Sequence, residues 1–126
     1  MKNTACKITV EATAQYIEAR SNPAQERYFF IYHITIHNPG NVAAQLLERH
    51  WLIDDASGQI QEVRGEGVVG EMPRLAPGES FRYNSSAMIH APVGTMQGEY
   101  LMVTDDGERF EAPIPPFVLS IPRVLH

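Results

Sequence analysis

Two groups of residues in this sequence have types and spacings that could do chemistry. The first is the glycine string Gly65-Glu66-Gly67-Val68-Val69-Gly70, flanked by Arg64 and Arg74. A G-x-G-x-x-G string holds a dinucleotide when it follows a strand and opens a helix, because the amides of the helix N-terminus then face the pyrophosphate. Here Pro73 arrives three residues after Gly70 and a turn region follows at 74–78, so no helix opens, and Glu66 and Glu71 would repel phosphate. What survives is a nest of loop amides that takes a nucleotide polyphosphate or pyrophosphate with help from Arg64 and Arg74. The competing reading is a bent or bulged strand whose glycines relieve strain. Val68, Val69 and Met72 pose a second choice: exposed apolar contacts for a protein partner, or, for the two valines, plugs at one end of the core.

The second group is scattered. His33 and His37 share one side of a strand but stand four residues apart, about 13 Å, too far to share one metal. His50, His90 and His126 could meet only through tertiary structure and are expected to be neutral and solvent-facing. Asp54-Asp55 and Asp105-Asp106 sit where turns ordinarily use aspartate. No metal site and no cofactor are expected from these spacings. Cys6, or Ser85 and Ser86 with His90, are the candidate nucleophiles, and no strained G-x-S-x-G elbow accompanies them. The expectation is a protein that is not an enzyme.

The elements that must position these residues read as strands. Alternation marks 8–16, with Ile8, Val10, Ala12, Ala14 and Tyr16 on one side, and 27–38, with Phe30, Tyr32, Ile34 and Ile36 inward. The other side of that second strand begins apolar, at Phe29 and Ile31, which suggests a covering neighbour or partner subunit. Residues 42–54 fit an amphipathic helix as well as a strand; the strand reading puts Leu47, Arg49, Trp51 and Ile53 on one face and connects through Asp54-Asp55 to a strand at 60–63. Asn38-Pro39-Gly40-Asn41 is a turn with Gly40 at positive φ, and Pro77-Gly78 forms a type II turn. Phe81, Tyr83 and Ser85 share a face. Asp105-Asp106-Gly107 reads as a hairpin of the primed type. Pro113, Pro115 and Pro116 block ladder pairing, leaving 117–121 as a last edge strand. Seven or eight short, mostly antiparallel strands with turns at regular spacing mean an all-β sandwich of immunoglobulin or fibronectin type III-like kind.

At 126 residues, with 44% hydrophobic residues, the chain is expected to form one domain over 1–126. A formal charge of -5 excludes the uniform basic face of a nucleic-acid binder. No run approaches the ~18 apolar residues of a membrane span. One cysteine and a polar start without a secretory core segment lead to the expectation of a cytoplasmic protein.

Four segments then combine into a specific pattern: His50-Trp51-Leu52-Ile53-Asp54-Asp55, the run Glu62 to Gly70, Leu75-Ala76-Pro77-Gly78-Glu79, and Gly98-Glu99-Tyr100-Leu101-Met102. Together with Ile114-Pro115-Pro116-Phe117 and the ending Pro122 to His126, they resemble the bacterial ApaG family over essentially the whole chain. The resemblance implies a fibronectin type III-like sandwich, a link to cobalt and magnesium tolerance and to diadenosine polyphosphate metabolism, and domains thought to bind partners. Leu75 to Phe81 resembles the corner of fibronectin type III domains, with Phe81 where a tyrosine usually closes the corner. The leading expectation is a small adaptor that binds a protein partner and self-associates. The second is a polyphosphate sensor built on Arg64, Gly65, Gly67, Val68, Val69, Gly70 and Arg74.

Overall fold

The computed structural model describes residues 7–56 and 58–122, so Cys6 and His126 lie outside the described residues. Alternation sets the architecture. In β1 (Thr9–Tyr16) and β2 (Tyr28–His37) every second side chain turns inward, and Phe30, Tyr32, Ile34 and Ile36 are all buried. β2 pairs antiparallel with β1 on one side and with β6 (Ser80–Ile89) on the other. The second sheet is built on β3 (Ala44–Asp55), which pairs with β7 (Val93–Thr104) along one edge and with β4 (Ile60–Glu66) and then the two-residue β5 (Arg74–Leu75) along the other. β8 (Arg109–Ser120) pairs with β7 and completes the order β4-β3-β7-β8. The two sheets face each other across one core, where Phe30 and Ile34 from the first meet Leu46, Tyr100 and Met102 from the second. The result is the expected antiparallel sandwich, with eight strands among the described residues. Each fully buried large apolar side chain contributes roughly 1.5–3 kcal/mol.

Four local expectations are corrected. The face assigned to β3 changes partway, because the register with β7 shifts between Leu46 and Glu48. Ala44 and Leu46 point into the core before this bulge, Trp51 and Ile53 after it, and Leu47 is left half-buried, since one extra residue reverses the parity. The prolines do not interrupt β8. It is an edge strand that needs its amides on one side only, and the register shift opposite Met96 and Gly98 lets both Pro115 and Pro116 face outward. Gly40 is absent from the positive-φ residues; the turn there is held by buried Asn38, whose Nδ2 donates to Val42 O and Leu75 O and whose Oδ1 accepts from Gly40 N–H. The hairpin loop Asp105-Asp106-Gly107 has only Gly107 at positive φ, with Thr104 N–H donating to Glu108 O, which is a three-residue loop and not a primed two-residue turn.

The corner at Leu75 to Phe81 is closed without a tyrosine hydroxyl. Gly78 N–H donates to Asn38 O and Asn38 N–H to Glu79 O, so the backbone of Asn38 ties it. On the outside of β2, the apolar start is covered in part by the chain itself: the Arg20 guanidinium lies 4.7 Å from the centre of the Phe29 ring. Along one side of the sandwich β1 packs against β8. On the other side the edge strands β6 and β4 do not pair with each other, and no other strand among the described residues joins them.

Candidate functional site

The glycine string lies at the end of β4. β4 follows β3 as far as Glu66, leaves it where β3 bulges, and rejoins it as β5. Gly67 N–H donates to Leu47 O at the bulge, and Leu46 N–H donates to Pro73 O on the return. Between these points Val68 and Glu71 exchange two backbone hydrogen bonds of 2.8 and 2.9 Å around Val69 (φ +44°) and Gly70 (φ +82°). Positive φ at both central residues is the signature of a type I′ turn, which asparagine and glycine favour and a β-branched residue strains. Gly67 has no substitute: at φ +63°, a Cβ would lie 2.3 Å from Glu71 O. The two valines therefore part company. Val68 is 1% exposed and fills the core, whereas Val69 is 53% and Met72 41% exposed.

As an anion nest this hairpin has several of its groups already engaged. The amides of Gly67, Val68 and Glu71 have backbone acceptors. Arg64 Nη2 is 3.1 Å from Glu62 Oε2, and Arg74 is paired with Asp105 through Nε and Nη2. The guanidinium that does reach the loop is Arg49, from β3: its Nη1 donates to Glu66 O and Gly67 O, each at 3.0 Å, and it lies against Gly65, where a Cβ would be 2.7 Å from Nη1.

Arg49 also lines a cleft of about 610 Å³ between β4 and β6. Its floor is the open flank of the core, with Trp51, Ile53 and Met96 from one sheet and Tyr32 from the other. The inward positions of β6 that line the cleft are short, Ser85 and Ala87, and those of β4 are Gln61 and Val63. Gln61 Nε2 reaches across to Met88 O at 3.4 Å. Trp51 is the only tryptophan in the sequence. Its indole stands edge-on to Tyr100 and Phe117, with interplanar angles of 81° and 79°, and its buried Nε1–H has no acceptor among the described residues. Burial pushes the Tyr32 hydroxyl pKa up, an effect the Ser85 hydroxyl and the Arg49 charge oppose. Burial likewise raises Tyr83 and Tyr100, so both are neutral hydroxyls sharing a 2.6 Å hydrogen bond.

His50 is not a free solvent-facing histidine. On the outer face of the second sheet its Nδ1 lies 2.5 Å from Glu99 Oε2 and its Nε2 2.6 Å from Glu62 Oε2. The hydrogen bonds to Glu99 and then Glu62 raise its pKa, and the His50 contact holds Glu62 below the usual carboxylate range. The two contacts tie β4, β3 and β7 together. Both ring nitrogens of His50 face carboxylates, and among the described residues no three His, Cys, Asp or Glu side chains converge as ligands. His90 Nδ1 faces Glu26 O at 3.1 Å rather than a serine hydroxyl, and His37 Nδ1 faces Ser80 Oγ at 2.7 Å. Of the turn aspartates, Asp55 accepts His90 N–H, Asp105 pairs with Arg74, and Asp106 accepts from Thr104 Oγ1. Sequence reasoning singled out the loop and missed the cleft. Its available signal was an arginine, Arg49, in the same inward stripe as Trp51 and Ile53.

Comparison with known proteins places this geometry. The profile of the ApaG domain matches residues 18–104, which include the cleft and the hairpin. A protein ApaG of Azoarcus sp. (strain BH72) is 58% identical over 125 residues, spanning 99% of this chain and 98% of that protein. The protein ApaG of Ralstonia nicotianae is 55% identical over 120 residues, or 95% and 97% of the two chains. The crystal structure of an ApaA protein from Bordetella pertussis superposes with a TM-score of 0.91 at 45% identity, covering 94% of this chain and 97% of that one. A matching profile over more than half of the sequence and relatives this similar along nearly the whole length leave one conclusion: the chain belongs to the ApaG family.

Proposed function

We propose that this protein is a cytoplasmic, non-enzymatic binding module that receives an extended segment of a protein partner in the cleft between β4 and β6. The observation that carries this reading is the pair of strand edges, unpaired among the described residues, that flank an apolar floor. Exposed edges offer rows of backbone donors and acceptors, which is how sheets capture an added strand. Half-buried Val63 and exposed Met88 continue the apolar surface from the floor onto the rims. The strained hairpin tip, with Val69 and Met72 exposed, adds a second apolar contact near the Arg49 end. Any effect on cobalt or magnesium tolerance belongs, on this reading, to the captured partner.

Filling the cleft from its wall tests the proposal. Ala87→Trp is expected to abolish partner capture while the thermal midpoint stays within a few degrees of wild type, and Glu11→Lys on the outer face of β1 is expected to leave capture intact. Capture that survives in a folded Ala87→Trp protein refutes the cleft as the binding site.

A further inference from the structure

We infer that the occupant of this cleft is an extended peptide carrying an acidic side chain two residues away from a large apolar one, the carboxylate seated on Arg49 and the apolar group over Trp51. The inference rests on the binding reading above and names the chemistry that site selects. Charge comes first. The whole sequence has 15 Asp and Glu against 10 Lys and Arg, yet the described residues lining the cleft include no Asp or Glu. Arg49 and His90 are the basic residues among them. An acidic protein that keeps its carboxylates out of this cleft has built a slot complementary to an anion.

Arg49 gives that complementarity a shape. Its Nη1 is bound to the carbonyls of Glu66 and Gly67, and it makes no ion pair among the described residues. Nη2 and Nε are left with no hydrogen-bond partner among the described residues. A half-buried guanidinium with no counter-charge is held at an electrostatic disadvantage that a carboxylate removes, and the planar guanidinium fork matches a carboxylate in two parallel hydrogen bonds. Nearby, the Tyr32 and Ser85 hydroxyls provide further polar contacts in the same region.

Spacing supplies the sequence pattern. Arg49, Trp51 and Ile53 face inward from alternate positions of β3, so they recur about every 6.6 Å along the floor. A peptide lying along β4 or β6 in extended form presents its own alternate side chains at the same interval. One carboxylate over Arg49 therefore places the next inward side chain over Trp51 and the one after over Ile53. The floor at those two positions is apolar, which calls for leucine, valine or phenylalanine in the peptide.

Blocked heptapeptides, acetylated and amidated, with glutamate, leucine and valine on alternate positions and threonine between them, are titrated in both sequence directions. The sole tryptophan reports cleft occupancy through its fluorescence and its single indole N–H resonance. Saturable binding is expected in one direction, with the Trp51 signals shifting. Replacing the peptide glutamate by glutamine is expected to weaken binding at least about tenfold, and lysine to abolish it. Arg49→Lys, which keeps the charge without the fork, is expected to lose at least about tenfold for the glutamate peptide. A Trp51 response with equal affinities for the glutamate and glutamine peptides overturns the acidic pattern while leaving the cleft reading in place. Binding with no change at Trp51 overturns the cleft itself. Failure of every peptide to bind, with an otherwise native spectrum, overturns the pattern.

Discussion

Val68 and Val69 are chemically identical neighbours, and the hairpin geometry makes their replacement act in opposite directions. Val69 sits at φ +44° in the first central position of a type I′ turn, with Gly70 following and its side chain half in solvent. Left-handed backbone costs an L-residue roughly 1–2 kcal/mol, more for a β-branched one, and asparagine tolerates it. Val69→Asn creates an Asn-Gly pair, the preferred filling of this turn, and forfeits little buried area. The expected gain is about 1 kcal/mol, which raises the thermal midpoint by about 3–5 °C in a chain of this size. Val68 is buried among core side chains. Val68→Ala removes two methyl groups worth about 0.8 kcal/mol each and leaves a cavity, for a loss of about 2–3 kcal/mol. Urea unfolding followed by circular dichroism, with thermal scans on the same three proteins, measures both changes. A destabilised Val69→Asn protein, or a Val68→Ala protein as stable as wild type, would refute the turn geometry. If the strain at Val69 serves recognition, the stabilised variant should also capture its partner less well.

The same hairpin separates two glycines. Gly67→Ala drives a Cβ to 2.3 Å from Glu71 O and is expected to give little soluble folded protein, whereas Gly70→Ala meets no atom within 4 Å and should lose only about 1 kcal/mol from its positive φ. The His50 bridge predicts a pH dependence. Its raised folded pKa makes the bridge stabilising below the unfolded histidine value and loses that contribution as pH rises through the folded one. Depression of the Glu62 pKa does the reverse, with stability present above the ordinary glutamate value and lost as pH falls through the depressed one. The urea-midpoint gap between wild type and His50→Gln should therefore be widest between about pH 5 and 6.5 and close on both sides; a gap that keeps widening to pH 9 would rule the bridge out. Pyrophosphate titrated into labelled protein should produce no saturable NMR shifts at residues 64–74 below millimolar concentration, because three loop amides and both arginines are already engaged. Saturable micromolar shifts there would restore the anion-nest reading.

Much of the fold was legible in the sequence because period-2 alternation is a local signal: Phe30, Tyr32, Ile34 and Ile36 declare their face without reference to any neighbour. The type II turn at Pro77-Gly78 was legible for a similar reason, since proline and glycine carry their dihedral preferences with them. The family resemblance was legible in short segments along the whole chain. Register was not. The bulge at Leu47 and the doubled outward prolines of β8 exist only in relation to the facing strand β7, and each reverses a parity that the sequence alone would carry straight through. The candidate site was legible only in fragments. Arg49 could be seen on the inward face beside Trp51, but the cleft depends on Ser85 and Ala87 lying opposite them, on a strand 36 residues further along the chain. The two adjacent valines show the limit most sharply: sequence makes them equivalent, and a single turn with two positive φ angles buries one and exposes the other. Local preference determined where strands and turns occur; pairing between distant strands decided which side chains share a face, where the cleft lies, and which charges line it.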